Sequence, residues 1–392
     1  MKVAVIKELF PGERRVALVP ASVKTLIKAG LEVFIEESAG VAAGFPDDDY
    51  QAEGATIVSH EDVFSADCIL TVRTAAAAGE AWKADRDHFQ DNQVVVGICD
   101  PLGSPEVCVE AAERGVSLFS LELVPRITRA QSMDVLSSQA NIAGYKAVLL
   151  AASALPRILP MMTTAAGTVK PAKVLILGAG VAGLQAIATA KRLGAQVSAY
   201  DVRPAVKEQV QSLGAKFVEL DLETGSSESA GGYAKAMDED FYTKQRNLLG
   251  KVIAESDVVI CTALIPGRKA PTLVTSEMVS QMKPGSVIVD MAAERGGNCE
   301  ATSCGETACV DGVTILGPTN LPADVATHTS QLYARNITTF LLHLVDHGLP
   351  EIPSDDEICR ETLVTHKGQV VHPNVRERAG LPPLEQEQPV TE

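Results

Sequence analysis

The chain has 392 residues, 46% of them hydrophobic and 21% charged, and its 50 acidic against 34 basic side chains give a net charge of −16. Ordinary apolar content over that length excludes a disordered or collagen-like chain and suffices for two or three domains with buried cores. A surface of that sign repels phosphate backbones and anionic headgroups, so nucleic-acid binding and direct membrane insertion are not expected.

The N-terminus, Met1-Lys2-Val3-Ala4-Val5-Ile6-Lys7-Glu8, meets charge too early for a signal peptide. The most apolar stretch, residues 147–155, is too short to span a bilayer. The expectation is a soluble, cytoplasmic chain. Short β-branched runs then recur at 2–6, 29–36, 54–58, 66–72, 93–97 and 115–119. Residues 131–155 have the Ala, Leu, Val and Ile content of a long helix. A second series follows at 173–177, 193–201, 214–218, 256–262, 285–290 and 312–316. Helical patterns such as 22–28 and 181–193 separate several of these runs. Apolar strands alternating with helices predict parallel sheets covered on both faces, and the repetition predicts two Rossmann-like, doubly wound α/β domains of similar plan.

Residues 330–347 read as another long helix, and the two long helices as bridges between the domains. The expected domains are 1–137 completed by 320–392, and 138–319. Within the second, residues 224–244 are Gly/Ser-rich, then acidic and aromatic, which suits a mobile lid or plain disorder. The Pro- and Glu-rich tail from Leu381 is expected to fray. Cys299, Cys304 and Cys309 recur every five residues but match no zinc or cluster spacing, so no metal is expected and the eight cysteines read as reduced thiols.

The two series differ after their first strand. Residues 173–177 run into Gly178-Ala179-Gly180-Val181-Ala182-Gly183, which opens a helix, and Asp201 ends the next strand. The first glycine permits the tight turn, the second lets a pyrophosphate approach the backbone, and the third lets helix and strand pack closely. Gly178, Gly180, Val181 and Gly183 are therefore expected at the phosphates and the helix N-terminus supplies their N–H donors. Asp201 would accept from the adenosine ribose and repel a 2′-phosphate, favouring NAD(H) over NADP(H). Arg203 either blurs that preference or is a surface charge. The first series has Lys7-Glu8-Leu9-Phe10-Pro11-Gly12-Glu13-Arg14-Arg15 at this point, with no fingerprint, so one dinucleotide per chain is expected. Ahead of the first long helix, the polar stretch 125–134 either brings Arg126, Gln131 and Asp134 to a ligand or is a helix start capped by Ser132 or Asp134.

Residues 125–145, 161–169, 178–193 and Asp201-Val202-Arg203 closely resemble the proton-translocating nicotinamide nucleotide transhydrogenases, in their NAD(H)-binding component (domain I, the alpha-1 subunit). Gly231-Gly232-Tyr233-Ala234-Lys235, residues 262–267 and Gly296-Gly297-Asn298-Cys299 resemble that family as well. The resemblance covers nearly the whole chain and is weakest over 71–105 and after Leu349. It implies a peripheral subunit, usually a homodimer, that binds NADH and passes a hydride directly to NADP⁺ held on a partner subunit. A membrane-spanning subunit couples that Re/Si-specific exchange to proton movement.

The resemblance also implies site residues. Arg126, Gln131, Ser132, Met133, Asp134 and Ser137 fall on the loop around the nicotinamide and its ribose, with Gln131 and Asp134 positioning the hydride transfer. Gly232 and Tyr233 fall on a loop that closes over the nucleotide, and Val202, Gln245 and Leu264 are further contacts.

Alanine dehydrogenases share the opening Lys7-Glu8 … Arg15-Val16-Ala17 pattern. That chemistry needs an acid/base group, which the family supplies as a lysine and a histidine. The matching positions here are Arg73 and the Asp100-Pro101-Leu102 run, and arginine cannot act as a base near neutral pH. Asp100 keeps the dehydrogenase open as an alternative, and a non-enzymatic NAD(H) sensor is a third. Arg15 is then a leftover anion contact or, as favoured here, a structural ion-pair partner.

Overall fold

The computed structural model describes residues 1–220, 239–264, 267–349, 351–352 and 356–384. They belong to two compact units, Met1–Gln139 with Val325–Glu392, and Ala140–Asp324.

Six parallel strands build the first unit: β1 (Lys2–Val5), β2 (Glu32–Glu36), β3 (Thr56–Val58), β4 (Cys68–Arg73), β5 (Val94–Ile98) and β6 (Ser117–Ser120). The second unit holds an isolated hairpin, β7 (Met162–Thr164) and β8 (Gly167–Val169), ahead of β9 (Lys173–Leu177), β10 (Gln196–Tyr200), β11 (Lys216–Phe217), β12 (Val258–Cys261), β13 (Val287–Asp290), β14 (Thr307–Val310) and β15 (Val313–Leu316). Two C-terminal strands, β16 (Leu363–His366) and β17 (Gln369–Val370), rejoin the first sheet. The sheets run β17-β16-β6-β5-β4-β1-β2-β3 and β11-β10-β9-β12-β13-β15-β14. Counted within each series, both follow the order 3-2-1-4-5-6 of a doubly wound nucleotide-binding sheet.

Burial explains why these strands carry unbroken apolar runs. Every residue of β6, β12 and β13 is buried, as is all of β4 except Arg73, because helices cover both faces of a parallel sheet. The strands beyond the expected twelve are short, exposed or antiparallel. β14 alternates exposed and half-buried residues and turns back into β15 through Asp311-Gly312, both at positive φ (50° and 78°), as a two-residue hairpin requires. Cys304 and Cys309 are exposed, whereas Cys299 is buried.

The helix Val135–Ala154 carries the chain out of the first unit and into the second. The helix Ala326–Asp346 lies wholly in the first unit, and its Tyr333, Ile337, Phe340, Leu341 and Leu344 are buried in that core. This corrects the expectation of two bridging helices. The return crossing precedes the second helix, whose apolar stripe is used entirely by the first sheet. No described helix is long and apolar enough to cross a membrane.

Candidate functional site

In the second unit, Leu177 at the end of β9 stands in register with Tyr200 of β10 and Cys261 of β12. The next residue of each strand (Gly178, Asp201 and Thr262) therefore emerges at the same edge of the sheet. Gly178 has φ +98° and its carbonyl accepts from Thr262 Oγ1 at 2.9 Å. A Cβ on Gly183 would lie 1.9 Å from the Gly178 carbonyl oxygen, and one on Gly178 would lie 2.6 Å from Thr262 Oγ1. Gly180 is different. The nearest atom to a Cβ there is Arg203 Nη2 at 3.9 Å, so its backbone faces open space.

Gly180 also caps the helix Val181–Arg192, which has no side-chain cap bond and no acidic residue in its first turn. Its leading N–H groups and the positive end of its dipole are left for an anion. Turn, open backbone and uncapped helix together fit a dinucleotide pyrophosphate. Gly144 braces the arrangement from the preceding helix: a Cβ there would stand 2.1 Å from the Ala182 carbonyl oxygen.

Asp201 is buried and its carboxylate is fully engaged. It accepts from the Ala179 N–H at 2.7 Å, the Arg203 N–H at 2.9 Å, Arg203 Nε at 2.9 Å and Arg203 Nη2 at 2.8 Å. Four acceptor sites are the capacity of a carboxylate, so a ribose hydroxyl bonds Asp201 only where the guanidinium yields. Arg203 is thus no free surface charge. Gln245 is buried, gives its amide N–H to the Tyr200 hydroxyl at 2.9 Å, and leaves Oε1 with no donor among the described residues. Burial first, then the charge of Asp201, pushes the Tyr200 phenol up to about 12 against the Gln245 bond. Val181 and Val202 are half-buried and Leu264 is exposed. Gly232 and Tyr233 lie outside the described residues.

Composition did not single out Asn298. It is fully buried, bridges Ala263 (Oδ1 to N 3.1 Å, Nδ2 to O 2.9 Å) and the Pro271 carbonyl (2.8 Å), and sends its own N–H to Asp290. It fixes the backbone just ahead of Leu264. The only signal for it was the Gly-Gly-Asn-Cys run.

The polar stretch of the first unit forms a 3-10 turn, Thr128–Met133. Asp134 caps the long helix: Oδ1 accepts the Ser137 N–H at 2.8 Å and Oδ2 accepts the Ser137 hydroxyl at 2.6 Å. Of the two capping residues considered, Asp134 serves and Ser132 does not; the Ser132 carbonyl instead accepts from Asn336 at 2.7 Å. Met133 is buried in the core. Arg126 and Gln131 are exposed, and the Gln131 side chain makes no hydrogen bond among the described residues.

The turn after β1 is filled by the chain's own side chains. Glu13, with no exposed side-chain surface, accepts from Arg15 Nε (2.8 Å) and Nη2 (2.7 Å) and from Arg73 Nε (2.9 Å). Arg15 also reaches Gln139 at 2.8 Å, and the Arg73 guanidinium lies 4.4 Å over the Phe10 ring. Against its burial, the hydrogen bonds and charge of Arg15 hold the Glu13 carboxyl down to about 2. Glu8 accepts the Val72 and Arg73 N–H groups at 2.6 and 3.1 Å. Burial, then the charge of Glu13, pushes Glu8 up to about 8. Asp100 sits at φ +52° with its N–H on Glu122 at 3.1 Å. Arg15 is therefore a structural ion-pair partner.

Family models described as the alanine dehydrogenase/PNT N-terminal and C-terminal domains match residues 4–143 and 147–373. The chain belongs to the alanine dehydrogenase/PNT family. It is 47% identical to the first of the chains that make up the NAD(P) transhydrogenase subunit alpha of Rhodospirillum rubrum, over 95% of this chain and 98% of that one. The crystal structure of transhydrogenase from Sinorhizobium meliloti superposes with a TM-score of 0.82 at 47% identity, covering 95% of this chain and 99% of that one. An L-alanine dehydrogenase structure superposes almost as well, with a TM-score of 0.81, but at 29% identity, covering 97% and 99%. Both branches of the family share the backbone, and sequence identity separates them. The alanine dehydrogenases are the more distant relatives.

Proposed function

We propose that this chain is the NAD(H)-binding subunit of a proton-translocating NAD(P)⁺ transhydrogenase. The observation that carries the reading is the contrast between two turns. The dinucleotide cradle of the second unit is complete, while the turn after β1 has two arginines locked on Glu13 where an amino-acid dehydrogenase needs a proton-transferring pair. Whole-length identity of 47% to a transhydrogenase alpha subunit supports it.

On this reading NADH supplies the hydride, and NADP⁺ on a partner subunit receives it. The chain's own role is to bind and orient. Gly178, Gly180, Val181 and Gly183 hold the pyrophosphate, and Asp201, Val202 and Arg203 hold the adenosine ribose. Gln245 and Leu264 complete the pocket, as do Gly232 and Tyr233. Arg126, Gln131, Ser132, Met133, Asp134 and Ser137 serve the nicotinamide end. Asp134 holds its helix start rigid, and Gln131 is free to meet a bound group. A reaction between two nicotinamides needs proximity and exclusion of water and no protein acid or base.

The subunit is peripheral on the cytoplasmic side, docked through membrane-spanning and NADP(H)-binding partners, and is a homodimer. The exposed apolar side chains of the β7–β8 excursion (Ile158, Met161, Met162 and Val169) favour self-association. The deciding experiment mixes the chain with an NADP⁺-loaded partner subunit and NADH deuterated at C4. The expected result is deuterium in NADPH with none lost to water. Label appearing in solvent overturns direct transfer.

A further inference from the structure

Away from both turns, the first unit gathers two histidines and a carboxylate. His60 starts the short helix after β3, with Ser59 as its cap. Asp85 ends the helix Glu80–Asp85, and His88 follows one turn later. His60 Nε2 stands 3.3 Å from Asp85 Oδ1, and these two atoms and a ring nitrogen of His88 all lie within 4.8 Å of one another. His88 stacks on Phe64 with 5.1 Å between ring centroids, and its ring centroid lies 5.9 Å from that of His60.

Two further observations point to a ligand. Asp85 is 9% exposed, yet its Oδ1 accepts no hydrogen bond among the described residues, leaving a desolvated carboxylate facing the His60 nitrogen out of hydrogen-bond alignment. The other nitrogen of His60 is held by a carboxylate: Nδ1 lies 3.1 Å from Glu36 Oε1, and Glu36 Oε2 is itself fixed by the Lys7 N–H at 2.7 Å. A carboxylate behind a histidine fixes the tautomer and aims the Nε2 lone pair, which is how metal-binding histidines are oriented.

We propose that His60, Asp85 and His88 form a three-ligand site for a divalent transition cation of the Zn²⁺ class, with Glu36 orienting His60 from behind and water in the fourth position. Bonds of about 2.0–2.1 Å in a tetrahedron put neighbouring ligand atoms roughly 3.4 Å apart, and the His60–Asp85 separation of 3.3 Å already matches one such edge. His88 is exposed and closes the triangle by side-chain rotation. Two imidazoles and one carboxylate suit Zn²⁺ and Co²⁺ rather than Mg²⁺ or Ca²⁺. A bound cation would tie the helix start after β3 to the helix Glu80–Asp85.

The second cluster of ligand-type residues lacks this readiness. Asp356 already takes Arg129 at 2.7 Å on Oδ1, and His343 at 2.8 Å with the Cys359 N–H at 2.9 Å on Oδ2. Burial also pushes the Cys359 thiol up to about 12, away from the thiolate a metal needs.

The test is a Co²⁺ titration of the full, chelator-treated chain, read by visible absorption, with Zn²⁺ displacing the cobalt. One equivalent should bind and give the intense bands of tetrahedral cobalt. His88→Ala and Asp85→Asn should each weaken binding at least about tenfold, and Glu36→Gln about ten- to a hundredfold. His343→Ala should bind as the parent does. His88 is exposed, so its variant keeps the fold, which a thermal melt verifies. No binding, or binding that survives His88→Ala unchanged, overturns the proposal. So does binding that is lost with His343→Ala.

Discussion

After β9 the chain turns through three glycines and leaves the space above them empty; after β1 it turns through residues 7–15 and packs that space with Glu8, Glu13 and Arg15, reached across the sheet by Arg73. The strand order around the two turns is the same. One topology therefore serves two ends. A glycine turn exposes backbone N–H groups, which suit a phosphate. A turn of long charged side chains neutralises itself and presents no unoccupied charge. The comparison teaches that the binding capacity of this fold lies in side-chain size at the first turn, and sheet topology alone does not predict which unit binds.

The sharpest way to break the contrast is Glu13→Ala. It leaves Arg15 and Arg73 facing each other without their carboxylate, and removing one partner of a buried ion pair costs about 3–5 kcal/mol. Denaturant unfolding should record that loss, and formate in excess should restore some of it by filling the vacated position. Stability within about 1 kcal/mol of the parent, the worth of an exposed pair, would mean the clamp is dispensable.

The converse change, Gly183→Ala, forces a methyl 1.9 Å from the Gly178 carbonyl oxygen. Overpacking costs about 1–3 kcal/mol, so NADH affinity, followed by fluorescence, should fall roughly tenfold or more. Unchanged affinity would remove this turn from the site.

Glu8 sharpens the comparison through pH. Its folded pKa of about 8 lies above the ordinary 4.5, so between those values the folded chain keeps a proton that the unfolded chain has released. Stability should therefore fall as pH rises through that window, by at most about 1.4 kcal/mol per pH unit, and level off above it. Glu8→Gln should abolish the slope; a persistent slope would assign it to another group. Arg203→Gln carries the smallest effect. It frees two acceptor positions on Asp201 for ribose hydroxyls, and NADH binding should tighten by about 1 kcal/mol, several-fold in Kd. Weaker binding would make the guanidinium itself a nucleotide contact.

Much of this was legible in the sequence. All twelve expected strands are present, because strands buried on both faces leave unbroken β-branched runs. β14, β16 and β17 were not legible, being short edge strands without such runs. The glycine fingerprint was legible as a motif, but the saturation of Asp201 was not, since it depends on the rotamer of Arg203 two residues on. The clamp on Glu13 joins residues 60 apart in sequence, so no local pattern announces it. The polar loop left ligand contact and helix capping both open. Asp134 proves to be the cap.

The central claim is that one unit is open to NADH and the other is closed to a carboxylate substrate. The most direct measurement follows NADH fluorescence with the purified chain alone while pyruvate and ammonium are added. The account predicts saturable binding of one NADH per chain and no NADH consumption until an NADP⁺-bearing partner is supplied. Steady NADH loss with pyruvate and ammonium alone would contradict it, and would make Arg73 and Asp100 the first residues to replace.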